Sequence, residues 1–146
     1  MTIVTDGRPR TVAASGPLAV DLDDTQYRLG DGPCLSAATT GRVAAVPDTS
    51  ADRRWPRFAR AAADRGCTRV VSVPLPVREL VSGGLNVYLC GARPGDESAA
   101  ALATLFARYA VVPVSNMYLY TSALERADHL AAALDSRGGS TGSKAS

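Results

Sequence analysis

A chain of 146 residues with 46% hydrophobic and 21% charged residues has the size and composition of one globular domain. Its net charge of +2 is too small to indicate a nucleic-acid partner, and no apolar run is long enough to span a membrane. Three dispersed cysteines and the lack of a secretory signal favour reduced thiols, so we expect a cytoplasmic protein that binds neither nucleic acid nor membrane.

Turn residues and apolar periodicity divide the chain into short strands and helices. We predict strands at 2–5 and 10–14, helices at 22–27 and 33–40, a strand at 42–46, a helix at 51–65, strands at 68–77 and 83–90, and a long helix at 97–136. This order indicates an α+β fold with an antiparallel sheet flanked by helices. Residues 1–137 would form the domain, and the Gly/Ser-rich segment 138–146 a disordered tail.

Three prolines modify this outline. Pro113 falls inside the long helical pattern, where it removes a backbone hydrogen bond, so we predict a kink or break near it. Pro74 and Pro76 are two positions apart in the predicted strand 68–77, so both missing N–H groups lie along the same edge of that strand. We therefore expect an edge position or a bulge there.

The stretch from Tyr27 to Gly41 combines a turn, a helix start and a helix stop. Gly30 and Gly32 permit positive φ, and Pro33 suits the first turn of a helix. Cys34 then lies near a helix N-terminus, where a thiol pKa can be lowered. The stretch is either a reactive-thiol site or the lip of a small-molecule pocket.

Aromatic residues are the second candidate site. Trp55 and Phe58 share one face of a predicted helix, which by helical spacing alone favours a core position. Together with Tyr27, Tyr88 and the polar Asn86 they could instead form a small-ligand pocket. The sequence contains neither a phosphate-binding loop nor a common nucleophile motif, and its single histidine has no metal-ligand set, so we predict no catalytic residue, metal or cofactor.

Four segments in order resemble one known family. They are Gln26–Leu35 (QYRLGDGPCL), Asp52–Ala59 (DRRWPRFA), Ser72–Leu75 (SVPL) and Gly84–Tyr88 (GLNVY). Their series resembles the GAF domains that precede ANTAR modules in actinobacterial transcription antitermination regulators, over residues 2–137. The resemblance implies an antiparallel sheet with a pocket on one face, and a role as a sensor of small ligands or a dimer contact.

The resemblance and the side-chain chemistry together give the predicted sites. We expect no catalytic residue, an unknown small-molecule ligand, and a homodimer formed through the last helix. The predicted pocket residues are Tyr27, Cys34, Leu35, Trp55, Phe58, Leu75, Asn86 and Tyr88, and the predicted dimer residues are Met117, Tyr120, Leu124 and Leu130.

Two alternative functions remain open. Cys34 resembles a cysteine that follows a Gly-x-Gly-x turn in GAF-type free methionine sulfoxide reductases, which would make the chain a thiol-dependent enzyme. The other alternative is a ligand-free dimerisation module whose pocket is filled by its own side chains. By comparison with the regulators, we expect the helix before the first strand and the RNA-binding ANTAR module to be missing, and Pro113 to interrupt their usually continuous helix.

Overall fold

The computed structural model describes residues 1–75, 82–91 and 97–142, and within them the chain forms five strands and four helices. In chain order they are β1 (Thr2–Thr5), β2 (Arg8–Thr11), α1 (Pro17–Leu29), α2 (Pro33–Thr40), β3 (Ala44–Val46), α3 (Pro56–Asp64), β4 (Cys67–Pro74), β5 (Ser82–Cys90) and α4 (Glu97–Gly142). The strands form one sheet in the order β2-β1-β5-β4-β3, and all four pairings are antiparallel. The predicted α+β fold is confirmed.

The first hairpin shows why β2 begins earlier than predicted. Asp6 and Gly7 both have positive φ, 52° and 71°, as a two-residue hairpin turn requires. Pairing therefore resumes at once with Thr5 opposite Arg8, and β2 occupies Arg8–Thr11 rather than 10–14. Pro9 is tolerated because β2 is the edge strand.

Helix α1 is longer than the predicted 22–27. It begins at Pro17, which fits the first turn of a helix because its missing N–H has no intrahelical partner there, and it ends at Gly30 with φ 67°. Helix α2 has the predicted bounds, and Gly41 closes it with φ 68°. A glycine with positive φ thus follows each of the two helices. For α1, the apolar pattern alone predicted an end at residue 27, before this glycine.

Helix α3 and strand β3 are shorter than predicted. The segment before Pro56 forms turns rather than the first turn of a helix, so α3 occupies Pro56–Asp64 instead of 51–65. Strand β3 has three residues, does not begin at residue 42, and pairs, within the part of the chain that the structure describes, with Val70–Ser72 of β4 alone.

Strand β4 is an internal strand, which corrects the expectation of an edge position for the strand as a whole. Pro74 lies beyond the residues that β3 pairs with, so among the described strands it pairs with β5 alone, opposite Gly84. The register irregularity of β4 lies at its other end, between Cys67 and Arg69. Pro76 lies outside the described residues.

The main apolar core lies between one face of the sheet and helices α1 and α3. Its buried members are Leu22, Val46, Phe58, Ala62, Cys67 and Val70. Trp55 and Tyr88 are partly buried against this cluster. Phe58 thus belongs to the core and Trp55 packs against it, and both also lie beside the candidate site.

The chain divides into two compact units, Met1–Val112 and Pro113–Ser146. Helix α4 contains the boundary: Pro113 and the residues on both sides are helical, so the chain keeps helical conformation at the predicted interruption. In the first unit, Ala103, Ala107 and Val111 form the buried stripe of this helix, at intervals of four residues.

In the second unit the predicted dimer residues are exposed. Met117, Tyr120, Leu124 and Leu130 have 70%, 68%, 49% and 63% of their surface accessible. The helix continues to Gly142 rather than ending at 136, and residues 143–146 lie outside the described residues. The disordered tail therefore stays a prediction.

Candidate functional site

Nine side chains or backbone groups form a hydrogen-bonded polar cluster between helix α1 and the sheet. We define this polar cluster as Thr2, Thr11, Asp23, Gln26, Tyr27, Cys34, Ser72, Asn86 and Tyr88. Asp23 is 1% exposed and is its centre. Its carboxylate accepts hydrogen bonds from Thr11 Oγ1 at 2.8 Å, from Asn86 Nδ2 at 2.9 Å, and from the Tyr88 hydroxyl.

The hydroxyl groups of Thr2, Tyr27 and Thr11 donate hydrogen bonds one to the next, in a single direction. Each hydroxyl has a single hydrogen, and that of Thr11 is donated to Asp23. The Tyr27 hydroxyl, 2.9 Å from Thr11 Oγ1, must then donate to Thr11. By the same argument Thr2 Oγ1 donates to Tyr27 across 2.6 Å. The chain of donors therefore ends at the Asp23 carboxylate.

Gln26 connects this cluster to the start of helix α2. Its Nε2 donates to the Tyr88 hydroxyl at 3.0 Å, and its Oε1 accepts the backbone N–H of Cys34 at 2.8 Å. That N–H is one of the groups that a helix N-terminus leaves without an intrahelical partner. The fully buried Gln26 side chain thus fixes α2 against α1.

Cys34 is fully buried, and burial raises the pKa of its thiol above the ordinary value. Interactions with the Thr2 and Asn86 side chains lower this pKa but are the smaller effect. A thiol that reacts directly with a dissolved substrate needs exposure and a lowered pKa. The geometry at Cys34 therefore does not support thiol chemistry there.

The two tyrosines of the cluster also have raised pKa values. Burial raises the pKa of Tyr27 to about 12, and the hydrogen bonds that Tyr27 shares with Thr11 and Thr2 lower it by less. Burial, followed by the Asp23 charge, raises the pKa of Tyr88. Both phenols therefore stay protonated near neutral pH, as their donor roles require.

A separate cavity of about 140 Å³ lies at the start of helix α3. We call it the Trp55 cavity. Its lining residues are Leu29, Asp31, Trp55, Pro56, Arg57 and Phe58. It combines two aromatic rings with one carboxylate and one guanidinium, which is the mixture typical of a small-ligand site.

One indole hydrogen bond, one backbone hydrogen bond and one cation–π contact hold Trp55 in place. Its Nε1 donates to Asp31 Oδ1 at 3.0 Å, and its backbone N–H donates to Asp52 Oδ2 at 2.7 Å. The guanidinium of Arg54 lies over the ring, 4.4 Å from its centroid. Arg54 also donates to the Ala45 carbonyl oxygen, so the indole is stacked under a tethered cation.

The structure divides the predicted pocket residues between these two sites. Tyr27, Cys34, Asn86 and Tyr88 belong to the polar cluster, and Trp55 and Phe58 line the cavity. The remaining two belong to neither: Leu35 is half-buried on α2, and Leu75 is buried beside Gly83.

Sequence reasoning missed the residue on which the polar cluster converges. Asp23, Gln26 and Tyr27 are three and four positions apart, so their side chains share a face of α1. All three already lie within the predicted helix 22–27, but only the aromatic Tyr27 was recognised there as a site residue. Asp31 and Arg57 gave no such signal, because each lies in a polar segment.

The described residues also limit other kinds of site. They contain no cluster of His, Cys, Asp and Glu that could hold a metal ion. Among their helices, none combines the length and the apolar composition of a membrane span.

The sheet order, the helices over one face and the site beneath them agree with a match to one protein family. The GAF domain family matches residues 2–112, which is more than half of the chain. The chain belongs to the GAF domain family. No curated protein and no solved structure matches it. GAF domains are in general sensor and signalling modules, and this GAF domain carries its aromatic cavity within the matched residues.

Proposed function

We propose that this GAF domain senses a small molecule bound in the Trp55 cavity and forms a homodimer through helix α4. The cavity carries the proposal, because it presents Trp55 and Phe58 beside two opposite charges. An apolar cavity of about 150 Å³ in another protein accommodates benzene. A volume of about 140 Å³ therefore suits a molecule with a single ring.

The charges favour an anionic ligand. Asp31 Oδ1 already accepts hydrogen bonds from Gly32 N at 2.9 Å and from the Trp55 indole. Arg57 is exposed at the cavity and forms no hydrogen bond or ion pair with the other described residues. Its guanidinium can bind a carboxylate in bidentate fashion, while the ring of the ligand packs on Trp55. We therefore favour an aromatic carboxylate as the ligand class.

Titration with benzoate tests this site directly. Trp55 is the only tryptophan, so its fluorescence reports the cavity without interference from another indole. We expect benzoate to change the emission in a saturable way and the neutral benzamide to bind more weakly. Native mass spectrometry of protein purified from its host would detect a retained ligand and the subunit number together.

Matched arginine variants identify the charge that matters. Arg57→Gln should weaken benzoate binding, whereas Arg60→Gln on the exposed face of the same helix should not. Equal effects of the two substitutions would indicate a general charge effect rather than a site. No saturable signal with benzoate, together with no retained ligand, would contradict the sensing function.

The dimer proposal rests on the exposed apolar residues of α4. In the second unit, Met117, Tyr120, Leu124, Ala127, Ala131 and Leu134 recur at alternating intervals of three and four residues, and all are exposed. This heptad spacing is typical of a helix that pairs with another helix. In such a dimer a second copy of the chain would cover these residues.

The polar cluster favours the ligand-free dimerisation module as a second candidate. Its Asp23, Asn86 and Tyr88 side chains bond to one another, so they fill that part of the predicted pocket themselves. If this candidate is correct, the purified protein is a dimer without a ligand, and benzoate gives no saturable change. By contrast, the buried thiol of Cys34 gives no support to the reductase alternative.

We also infer that the domain belongs to the actinobacterial GAF–ANTAR type and acts in the cytoplasm on transcription antitermination. The inference rests on the four sequence segments, of which Gln26–Leu35, Ser72–Leu75 and Gly84–Tyr88 contribute to the polar cluster. Nucleic acid would be bound by a partner module rather than by this chain. A gel-shift experiment with structured RNA should therefore give no complex with this chain alone.

A further inference from the structure

We propose that Cys67 and Cys90 form a redox pair, in which a hydroperoxide converts the two thiols into a disulfide between strands β4 and β5. The two residues lie directly opposite each other in the antiparallel ladder. Directly opposed residues in such a ladder have Cα atoms about 4.5–5.5 Å apart, within the range of about 4.4–6.8 Å that disulfides span. Both thiols are free in the structure.

The two thiols differ in their access to solvent. Cys90 is exposed, whereas Cys67 is fully buried in the apolar core against residues such as Phe58. A dissolved oxidant therefore meets Cys90 first. Cys67 can then act as the second thiol without having to react with the oxidant itself.

The buried thiol lies at an irregular end of its strand. Cys67 is the first residue of β4, and the register irregularity between Cys67 and Arg69 lies next to it. The Cys67 thiol donates to the Arg69 carbonyl oxygen at 3.2 Å, a contact that it gives up when it turns toward Cys90. A bulge at a strand end allows small backbone adjustments, so a disulfide can form without disrupting the remaining ladder.

The reaction has two balanced steps. In the first, the Cys90 sulfur attacks an oxygen of hydrogen peroxide; an S–O bond forms, the O–O bond breaks, and the leaving hydroxide takes the thiol proton as water. In the second, the Cys67 sulfur attacks the Cys90 sulfur; the S–S bond forms, the S–O bond breaks, and a second water leaves with the Cys67 proton. Two thiols are oxidised and one peroxide is reduced.

Oxidation would act on the neighbourhood of the Trp55 cavity. Cys67 packs in the same core cluster as Phe58, which lines that cavity. The disulfide would hold the Cys67 sulfur toward β5 and change this packing. The redox pair itself does not depend on a ligand, so its test is independent of the proposed sensing function.

Peptide mapping of the full chain after treatment with hydrogen peroxide tests the proposal. We expect a disulfide-linked peptide pair that joins Cys67 to Cys90. The number of thiols that can be alkylated should fall from three to one, and dithiothreitol should restore all three. Cys34→Ala is the matched control and should leave the cross-link unchanged. An unlinked sulfinic acid at Cys90, or a Cys90 disulfide between two copies, would overturn the proposal.

A second variant tests the order of the two steps. In Cys67→Ala the sulfenic acid on Cys90 has no partner thiol, so dimedone should label Cys90 several-fold more than in the wild type. Equal labelling of the two proteins would contradict a role for Cys67. If Cys67→Ala does not fold, mapping of the wild-type chain still decides whether the cross-link forms.

Discussion

The side chain of Gln26 occupies the space beside Gly32 that a larger residue at position 32 would need. A Cβ atom on Gly32 would lie 2.7 Å from Cγ of Gln26 and would also overlap its Oε1. Gly32 has φ 152°, a conformation that residues with a side chain rarely adopt. The missing Cβ is therefore what allows Gln26 to reach the Cys34 amide.

Replacing this glycine should destabilise the domain. We expect Gly32→Ala to lower the free energy of unfolding by at least about 2 kcal/mol, through backbone strain and the displacement of Gln26. Gly41→Ala is the matched control: φ is 68° but the space is open, so only the backbone cost of about 1 kcal/mol applies. Urea unfolding measures both. Equal losses would show that the contact with Gln26 contributes nothing.

The sheet and the short helix α2 could be predicted because local signals determine them. The Asp6-Gly7 turn, the alternation of β5 and the Pro33-to-Gly41 spacing each specify an element within a few residues. The bounds of α1 also have local signals, Pro17 at its start and Gly30 at its end, which its apolar pattern alone does not include. The strand order depends on contacts between distant residues. Those contacts carry no local pattern that the sequence reveals.

The candidate site was predicted in part for the same reason. The aromatic residues and Asn86 were recognisable by type, but their division between two sites depends on Asp23, a single acid on the buried face of α1. The pairing of Cys67 with Cys90 depends on the register of β4 and β5, across 23 positions of sequence. Residue spacing alone gave no indication of either.

Stability should decrease at alkaline pH. Burial raises the pKa of Cys67 from 9.0 to about 12 and that of Tyr27 from 10.0 to about 12, so above pH 9 the unfolded chain loses protons that the folded chain retains. The contribution of these two groups to the free energy of unfolding is complete below pH 9 and is lost as the pH rises toward 12. We expect the free energy of unfolding, measured in urea, to fall over this range.

A tyrosine variant separates Tyr27 from the other titrating groups. Tyr27→Phe should reduce the slope of the unfolding free energy between pH 10 and pH 12. Tyr109→Phe, which alters a ring that is 76% exposed, is the control and should retain the slope of the wild type. If the slope of Tyr27→Phe is also unchanged, burial of Tyr27 does not affect its titration.

Asp52 should control the position of Trp55 and hence benzoate binding. Asp52→Ala removes the acceptor of the Trp55 backbone N–H. By analogy with helix caps, this costs about 1 kcal/mol of the free energy that holds Trp55 in position. We expect benzoate affinity to fall about fivefold, which corresponds to that energy. Asp52→Asn keeps an acceptor oxygen and should restore most of the affinity. Fluorescence titration of Trp55 measures all three proteins.

Asp48→Ala is the control for Asp52, because it removes a carboxylate from the same loop. The Asp48 carboxylate bonds only to Ser50 among the described contacts and lies away from the Trp55 cavity. Its removal should leave benzoate affinity unchanged. A comparable loss in both variants would mean that loop order in general, rather than the Trp55 contact, determines binding.

A charge in the exposed stripe of α4 should dissociate the proposed dimer. Leu124 is 49% exposed and lies at a core position of the heptad pattern, so Leu124→Glu would bring two carboxylates together in a dimer. Each copy loses about 1.5–3 kcal/mol of apolar burial, and the dissociation constant should rise at least about 100-fold. Arg126→Glu, outside the stripe, should have little effect. Sedimentation equilibrium measures the three proteins, and a wild-type monomer at micromolar concentration would contradict the dimer.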